Sequence, residues 1–240
     1  MIKKAFEYIV GLSEPKVQFI HDQVYSDKPL HRISYIPYAD SIGMNTLSSL
    51  IDYIKSGVDT FNGKMIIHVQ SPTQVSMYSA LDVERNRENV VIVRANVPEF
   101  TFNRFDNHES FVIGVQSKFV DDPNTDKALL LKFAGTVEAG SVAEYGDDGI
   151  SQKATVKTGI ASKGDAIIPS PARLKPFRTF VEVDQPVSSF IFRMKDDRCG
   201  GVQCALFEAD GGAWKIGAME AIKAYLVREL EGFDNFIIIS

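Results

Sequence analysis

The run from Val202 to Ser240 constrains the fold most. "VQCALFEAD" has the apolar content of a strand, and Gly211-Gly212 follows it at once. From Ala213 onward, Trp214, Ala218, Ile222, Tyr225 and Leu226 fall on one stripe at helical spacing. Arg228 stands near the end of this helix, where a cation is favoured, and Gly232 is a natural stop. "NFIIIS" then reads as a terminal strand. A chain ending in strand, helix and strand points away from all-α and all-β architectures.

Upstream, the pattern predicts mostly short strands. Just before the terminal unit, "FRTFVEVD" and "SSFIFRMKD" flank Gln185-Pro186-Val187 and predict a hairpin. "GKMIIHVQSPTQVSMYSAL" predicts two strands turning at Ser71-Pro72, and "VVIVRANV" a third, as an antiparallel meander. "DVERNREN" between them reads as a charged, solvated loop holding Arg85 and Arg87. Leu47, Leu50, Ile51 and Ile54 predict a helix capped by Asn45 or Thr46 and stopped at Gly57. Asn107 begins another, with Phe111, Val112, Val115 and Phe119 on one face, and Thr125 or Asp126 is placed to cap a third. Two alternating runs around Gly146-Asp147-Asp148-Gly149 predict a further hairpin. "KVQFIHDQVYS" predicts strands around His21-Asp22, after an amphipathic helix ending near Gly11. The expected class is α+β, with mostly antiparallel sheet and a few packed helices. One domain over residues 1–240 is expected, or that domain with an N-terminal arm or subdomain reaching to about residue 60.

Charge and composition exclude some functions. The net charge of −5 disfavours a partner that needs many phosphates neutralised, so nucleic acid is not expected. No apolar run approaches the roughly 18 residues of a membrane-spanning helix. The opening "MIKKAFEYIVGLSEP" is broken by Glu7 and has no cleavage site, so it is not read as a signal peptide. Cys199 and Cys204 lack C-x-x-C spacing and read as reduced cytoplasmic thiols.

Two readings compete for the polar residues of the C-terminal third. Glu208 and Asp210 are two apart, and Glu182 and Asp184 repeat that spacing. On neighbouring strands the four carboxylates would converge, and they would suit a divalent metal or an acid and base pair. In the more economical reading Asp210 caps the helix, Gly211 and Gly212 make the turn and Trp214 anchors the helix in the core. Glu182 then shares a strand face with Arg178, with Arg193 across from it. The glycine pair suits an anion poorly beside Asp210, and no phosphate-loop pattern occurs. "GDDG" begins no calcium loop. His21, His31, His68 and His108 are scattered, and no serine sits in G-x-S-x-G. No catalytic residue, metal ligand or cofactor is assigned. Gly217, Ala221 and Ala224 give the last helix a second, shallow face for close packing on another helix or another subunit.

Three blocks carry a resemblance. "SPTQVSMYSAL" with "ERNREN", "GDDGISQ" with "KTG", and "PFRTFVEVDQPVSSFIFRMKD" leading to "CALFEADGGAW" resemble the YfdQ-like family of phage and prophage proteins. The opening "YIVGLSEPKV" with "YSDKPLHRI" resembles members from phages of Firmicutes. The stretch "DDRCGGVQCALFEAD" departs from the family pattern by an extra Gly-Gly and both cysteines, so Cys199 and Cys204 read as incidental to any shared function. The resemblance implies a phage or prophage origin and no particular reaction. The leading expectation is a non-enzymatic accessory protein in the host cytoplasm that self-associates or binds a phage or host protein. A shell, capsid-like or virion-associated protein is the structural alternative. A nucleotide- or metal-dependent enzyme or sequestrant, acting in phage takeover or against host defence, is the chemical one, with Glu182, Asp184, Glu208 and Asp210 as its site. A single-stranded DNA accessory is the weakest.

Overall fold

The structure is a computed structural model, and it describes residues 2–13, 15–21, 23–29, 38–136, 153–158, 162–167, 170–196 and 201–240. The predicted turn at residues 146–149, His31 and Cys199 lie outside the described residues. The chain divides into two units, Met1–Ala39 and Asp40–Ser240. The first holds helix α1 (Ile2–Ser13) and an antiparallel pair, β1 (Val17–Ile20) and β2 (Gln23–Ser26), turning at His21. The helix runs two residues past the expected stop at Gly11.

The second unit contains two larger sheets. The first sheet has the order β13–β4–β5–β6–β3, formed by Phe236–Ile239, Met65–Ser71, Gln74–Ser79, Asn89–Arg94 and Ile42–Met44. Its centre is the expected antiparallel meander, and both outer strands join in parallel. Helices α2 (Leu47–Ser56) and α5 (Trp214–Glu229) cover it. Local chemistry sets α2 tightly. The Thr46 hydroxyl accepts from the Ser49 N–H at 3.1 Å, and Gly57 ends the helix at φ +61°. Leu47, Leu50, Ile51 and Ile54 are all buried, joining Ile67, Val75 and Ile222 in one apolar cluster.

The second sheet is antiparallel, in the order β10–β11–β12–β7: Ala172–Leu174, Ser188–Asp196, Val202–Glu208 and Asp106–Asn107. Helices α3 (His108–Lys118) and α4 (Lys127–Thr136) pack on it through Phe111, Val115, Phe119, Leu130 and Phe133. Asn107 caps α3, its side chain accepting from Ser110 N–H at 2.8 Å. Lys127 is buried and closes the other end, donating to the carbonyls of Gln116 (3.1 Å) and Phe119 (2.6 Å). A cation is favoured there by the helix dipole. The carboxylate of Asp126 takes the main-chain N–H of Arg173 at 2.7 Å, and so ties the start of α4 to β10. A separate hairpin pairs β8 (Lys153–Thr158) with β9 (Ser162–Ile167). The fold is therefore α+β with antiparallel and mixed sheets. The C-terminal strand, helix and strand are present, with β12 and β13 in different sheets.

One predicted hairpin is overturned. "FRTFVEVD" forms no strand, and β11 takes β10 and β12 as neighbours. The cause is Gln185, which is buried. Its carbonyl oxygen accepts from the N–H groups of Arg178 (2.9 Å) and Thr179 (3.1 Å). Its amide donates to the carbonyls of Phe180 (2.9 Å) and Val183 (3.3 Å). One side chain supplies what a partner strand would otherwise supply. Phe180 and Val183 turn into the core while Val181 is exposed, so the apolar alternation is that of a folded loop.

A buried thiol and a half-buried phenol predict an alkaline limit. Burial pushes the Cys204 thiol up from 9.0 to about 12. Burial, with the bond to Asp59, pushes the Tyr53 phenol up from 10.0 to about 12. In the unfolded chain both ionise earlier, so that state binds fewer protons across this window. Stability is complete below about pH 9 and falls toward pH 12, by at most about 1.4 kcal/mol per pH unit for Cys204 and by less for the half-buried Tyr53, where water screens the charge. Urea titrations from pH 8 to 11 should show a falling midpoint, and a rising one would contradict the burial of the Cys204 thiol.

Candidate functional site

The four candidate carboxylates do not converge. Glu182 Oε1 accepts from the Ser48 main-chain N–H at 3.1 Å, in the first turn of α2. A carboxylate there answers the positive end of the helix. Arg193 is therefore not its partner across a strand. Asp184 pairs with Lys175 at 2.6 Å, and Asp122 meets the same ammonium at 3.4 Å. The hydrogen bond to Asp184 leads in raising the Lys175 pKa. The N–H of Asn124, followed by Lys175, lowers that of Asp122. Asp210 does not cap α5. Its Oδ1 accepts from Gly212 N–H at 3.0 Å, closing a turn before the helix, and Ala213 is the cap residue with no side-chain bond. Gly211 and Gly212 take φ of +62° and +82°, which L side chains rarely adopt, so the glycine pair shapes this turn. Among the described residues, no group of three His, Cys, Asp or Glu side chains is placed to hold a metal ion.

Glu208 and Asp210 act on one residue, Arg178. Its side chain is only 7% exposed. The guanidinium donates to Glu208 Oε1 at 2.6 Å and to the Ser188 hydroxyl. It lies 4.1 Å from the centre of the Trp214 ring, with Phe190 at 5.3 Å and Phe102 at 5.5 Å. Burial pushes the Arg178 pKa down, while the charges of Glu208 and Asp210 pull it back. Trp214 is therefore not a core anchor. It is half-buried and stacks on a buried cation, an attraction strengthened by the loss of water.

This cluster floors a cleft of about 400 Å³. Phe100, Phe102, Phe177 and Trp214 line it, each half-buried, beside Pro98 and Pro176. One wall is the segment 97–102, which belongs to no helix or strand. Ala95 N–H bonds to Thr73 and Asn103 N–H to Leu206. Between them, the main-chain N–H groups of Val97, Phe100, Thr101 and Phe102 pair with no described group. Both guanidinium ends of Arg178 are occupied, and Asp210 adds a further negative charge nearby. The cleft is thus built for apolar and ring surfaces with main-chain bonding, and poorly for phosphate.

A second recess, about 450 Å³, lies where Ala221, Ala224, Tyr225 and Arg228 of α5 face Glu182 and Asp184. It joins the small-residue helix face to two of the candidate carboxylates. Sequence reasoning did not single out Phe100, Phe102 or Phe177. The available signal was "PEFTF", with aromatics at alternate positions and a proline ahead of them.

No protein-family model, curated protein or solved structure matches the chain. No helix among the described residues is long and apolar enough to cross a membrane.

Proposed function

We propose that the protein is a non-enzymatic accessory protein that binds a protein partner, gripping an extended apolar or proline-containing segment in the aromatic cleft. One observation carries this reading: four half-buried aromatic rings stand beside a run of main-chain N–H groups that pair with no described group. That combination offers ring pockets for side chains and edge bonds for a peptide backbone. The likeness of three sequence blocks to phage and prophage proteins supports a phage origin and a role in the host cytoplasm.

Trp214 is the sole tryptophan, so its fluorescence reports directly on the cleft. Titration with a proline-rich decapeptide, and with decapeptides of alternating apolar and polar residues, should give a saturable change. Trp214→Phe should abolish the signal, and Phe102→Ala should weaken binding about tenfold or more when read by calorimetry. Inorganic phosphate and ATP with Mg²⁺ should give no change. A response to ATP with Mg²⁺ and none to any peptide would overturn the proposal in favour of nucleotide chemistry.

A further inference from the structure

The N-terminal unit points to a second contact, independent of the cleft. None of residues 2–11, 15–21, 23–29, 38 and 39 is buried. Helix α1 carries Ile2, Phe6 and Ile9 along one stripe, 60–77% exposed. In the hairpin, Val17, Phe19 and Val24 share one face, because Phe19 pairs directly with Val24, and they are 46–79% exposed. Within one copy these two apolar faces do not cover each other.

A unit this small is not self-sufficient. Below about 40 residues a fold generally needs disulfides, metals or oligomerisation. Residues 1–39 contain no cysteine, and no metal-holding group occurs among the described residues. Oligomerisation is the route for which the described residues supply a surface. We infer that the N-terminal unit is a dimerisation element, in which the Ile2–Phe6–Ile9 stripe of one copy packs on the Val17–Phe19–Val24 face of a second copy, and reciprocally.

Three observations favour a second copy as the occupant. The two faces are complementary in kind and length: a 12-residue helix spans about 18 Å and a four-residue strand about 13 Å. Each copy carries both, so the exchange closes as a twofold pair. The area also suffices. Six such side chains present on the order of 100 Å² each, so a pair of copies buries roughly 1,200 Å², the lower bound for a stable specific interface. A lipid surface fits less well. The helix sets Lys3 and Lys4 against Glu7, and the other hairpin face carries Gln18 and Gln23 beside Ile20 and Tyr25 with no cation, in a chain of net charge −5.

Sedimentation equilibrium of the full chain tests this. The expected result is a reversible dimer. Phe6→Ser and Phe19→Ser should each weaken it on the order of a hundredfold. Phe19→Leu should retain it, and so should Gln18→Ser on the opposite hairpin face. The urea midpoint of the larger unit and the Trp214 response to peptide should be unchanged in every variant, which separates lost association from general unfolding. A monomer at all concentrations, or a dimer with the same affinity in Phe6→Ser/Phe19→Ser, overturns the inference. So does a wild-type monomer that sediments with vesicles of anionic lipid while both serine variants stay free.

Discussion

Arg178→Met should destabilise the protein by about 3–4 kcal/mol, read as a lower midpoint in urea unfolding at constant slope. The substitution keeps much of the side-chain volume, so it isolates the loss of charge and hydrogen bonds. Glu208 and Ser188 lose their donor, and Trp214 loses the cation on its ring. Asp210 loses the positive charge that offsets its own, in a site where its Oδ2 is buried without a partner. Glu208→Gln should cost less, about 1 kcal/mol. An amide oxygen still accepts from the guanidinium, Asp210 still supplies negative charge, and the Glu208 side chain is 34% exposed. The double variant should be more stable than the sum of the two losses predicts, because a neutral amide in place of the Glu208 carboxylate leaves no charge unpaired there. If Arg178→Met lies within about 1 kcal/mol of the parent, the buried cation is not what holds the cleft floor together.

Much of the architecture was legible because its causes are local. The α2 helix is set by Thr46, Gly57 and four apolar residues at helical spacing, all visible in one short stretch. The meander from Met65 to Arg94 likewise follows from alternation and a turn. The candidate site was less legible because its geometry depends on contacts distant in sequence. Glu182 and Asp184 look like a strand-borne pair until Gln185 is seen to fold their segment into a loop. They then serve partners far away, Ser48 and Lys175. The pattern points to Asp210 as the helix cap, whereas its carboxylate closes the turn that Gly211 and Gly212 make. The two glycines add a full turn between it and α5, and no spacing rule distinguishes those cases. Trp214 shows the same limit. Its stripe on the helix is real, but Arg178 occupies its ring face from a segment more than thirty residues earlier.

Phe119→Ala should be the most costly single truncation near the cleft and should also impair peptide binding. Phe119 is 2% exposed and makes an edge contact with Phe100, centres 4.9 Å apart, and a wider one with Phe102 at 6.3 Å. Truncation removes a buried ring and leaves a cavity, an expected loss of about 3–5 kcal/mol in urea unfolding. The effect on binding follows from what holds Phe100. Gly114 of α3 also borders the ring, and an added Cβ there would sit 3.0 Å from its edge. The ring is thus held by a bare backbone and by Phe119, Phe102 and Phe111, with Phe119 the fully buried one nearest to it. With Phe119 gone, Phe100 has room to sink toward the core and withdraw its face from the cleft. Peptide affinity, read through Trp214, should then fall about tenfold. Phe119→Leu, which refills most of the space, should lose less than about 1.5 kcal/mol and keep most of the affinity. A destabilised Phe119→Ala protein that binds peptide as tightly as its parent would place recognition elsewhere than on these rings. Equal loss of binding in both variants would show that edge contact by an aromatic ring, rather than filled volume, sets the position of Phe100.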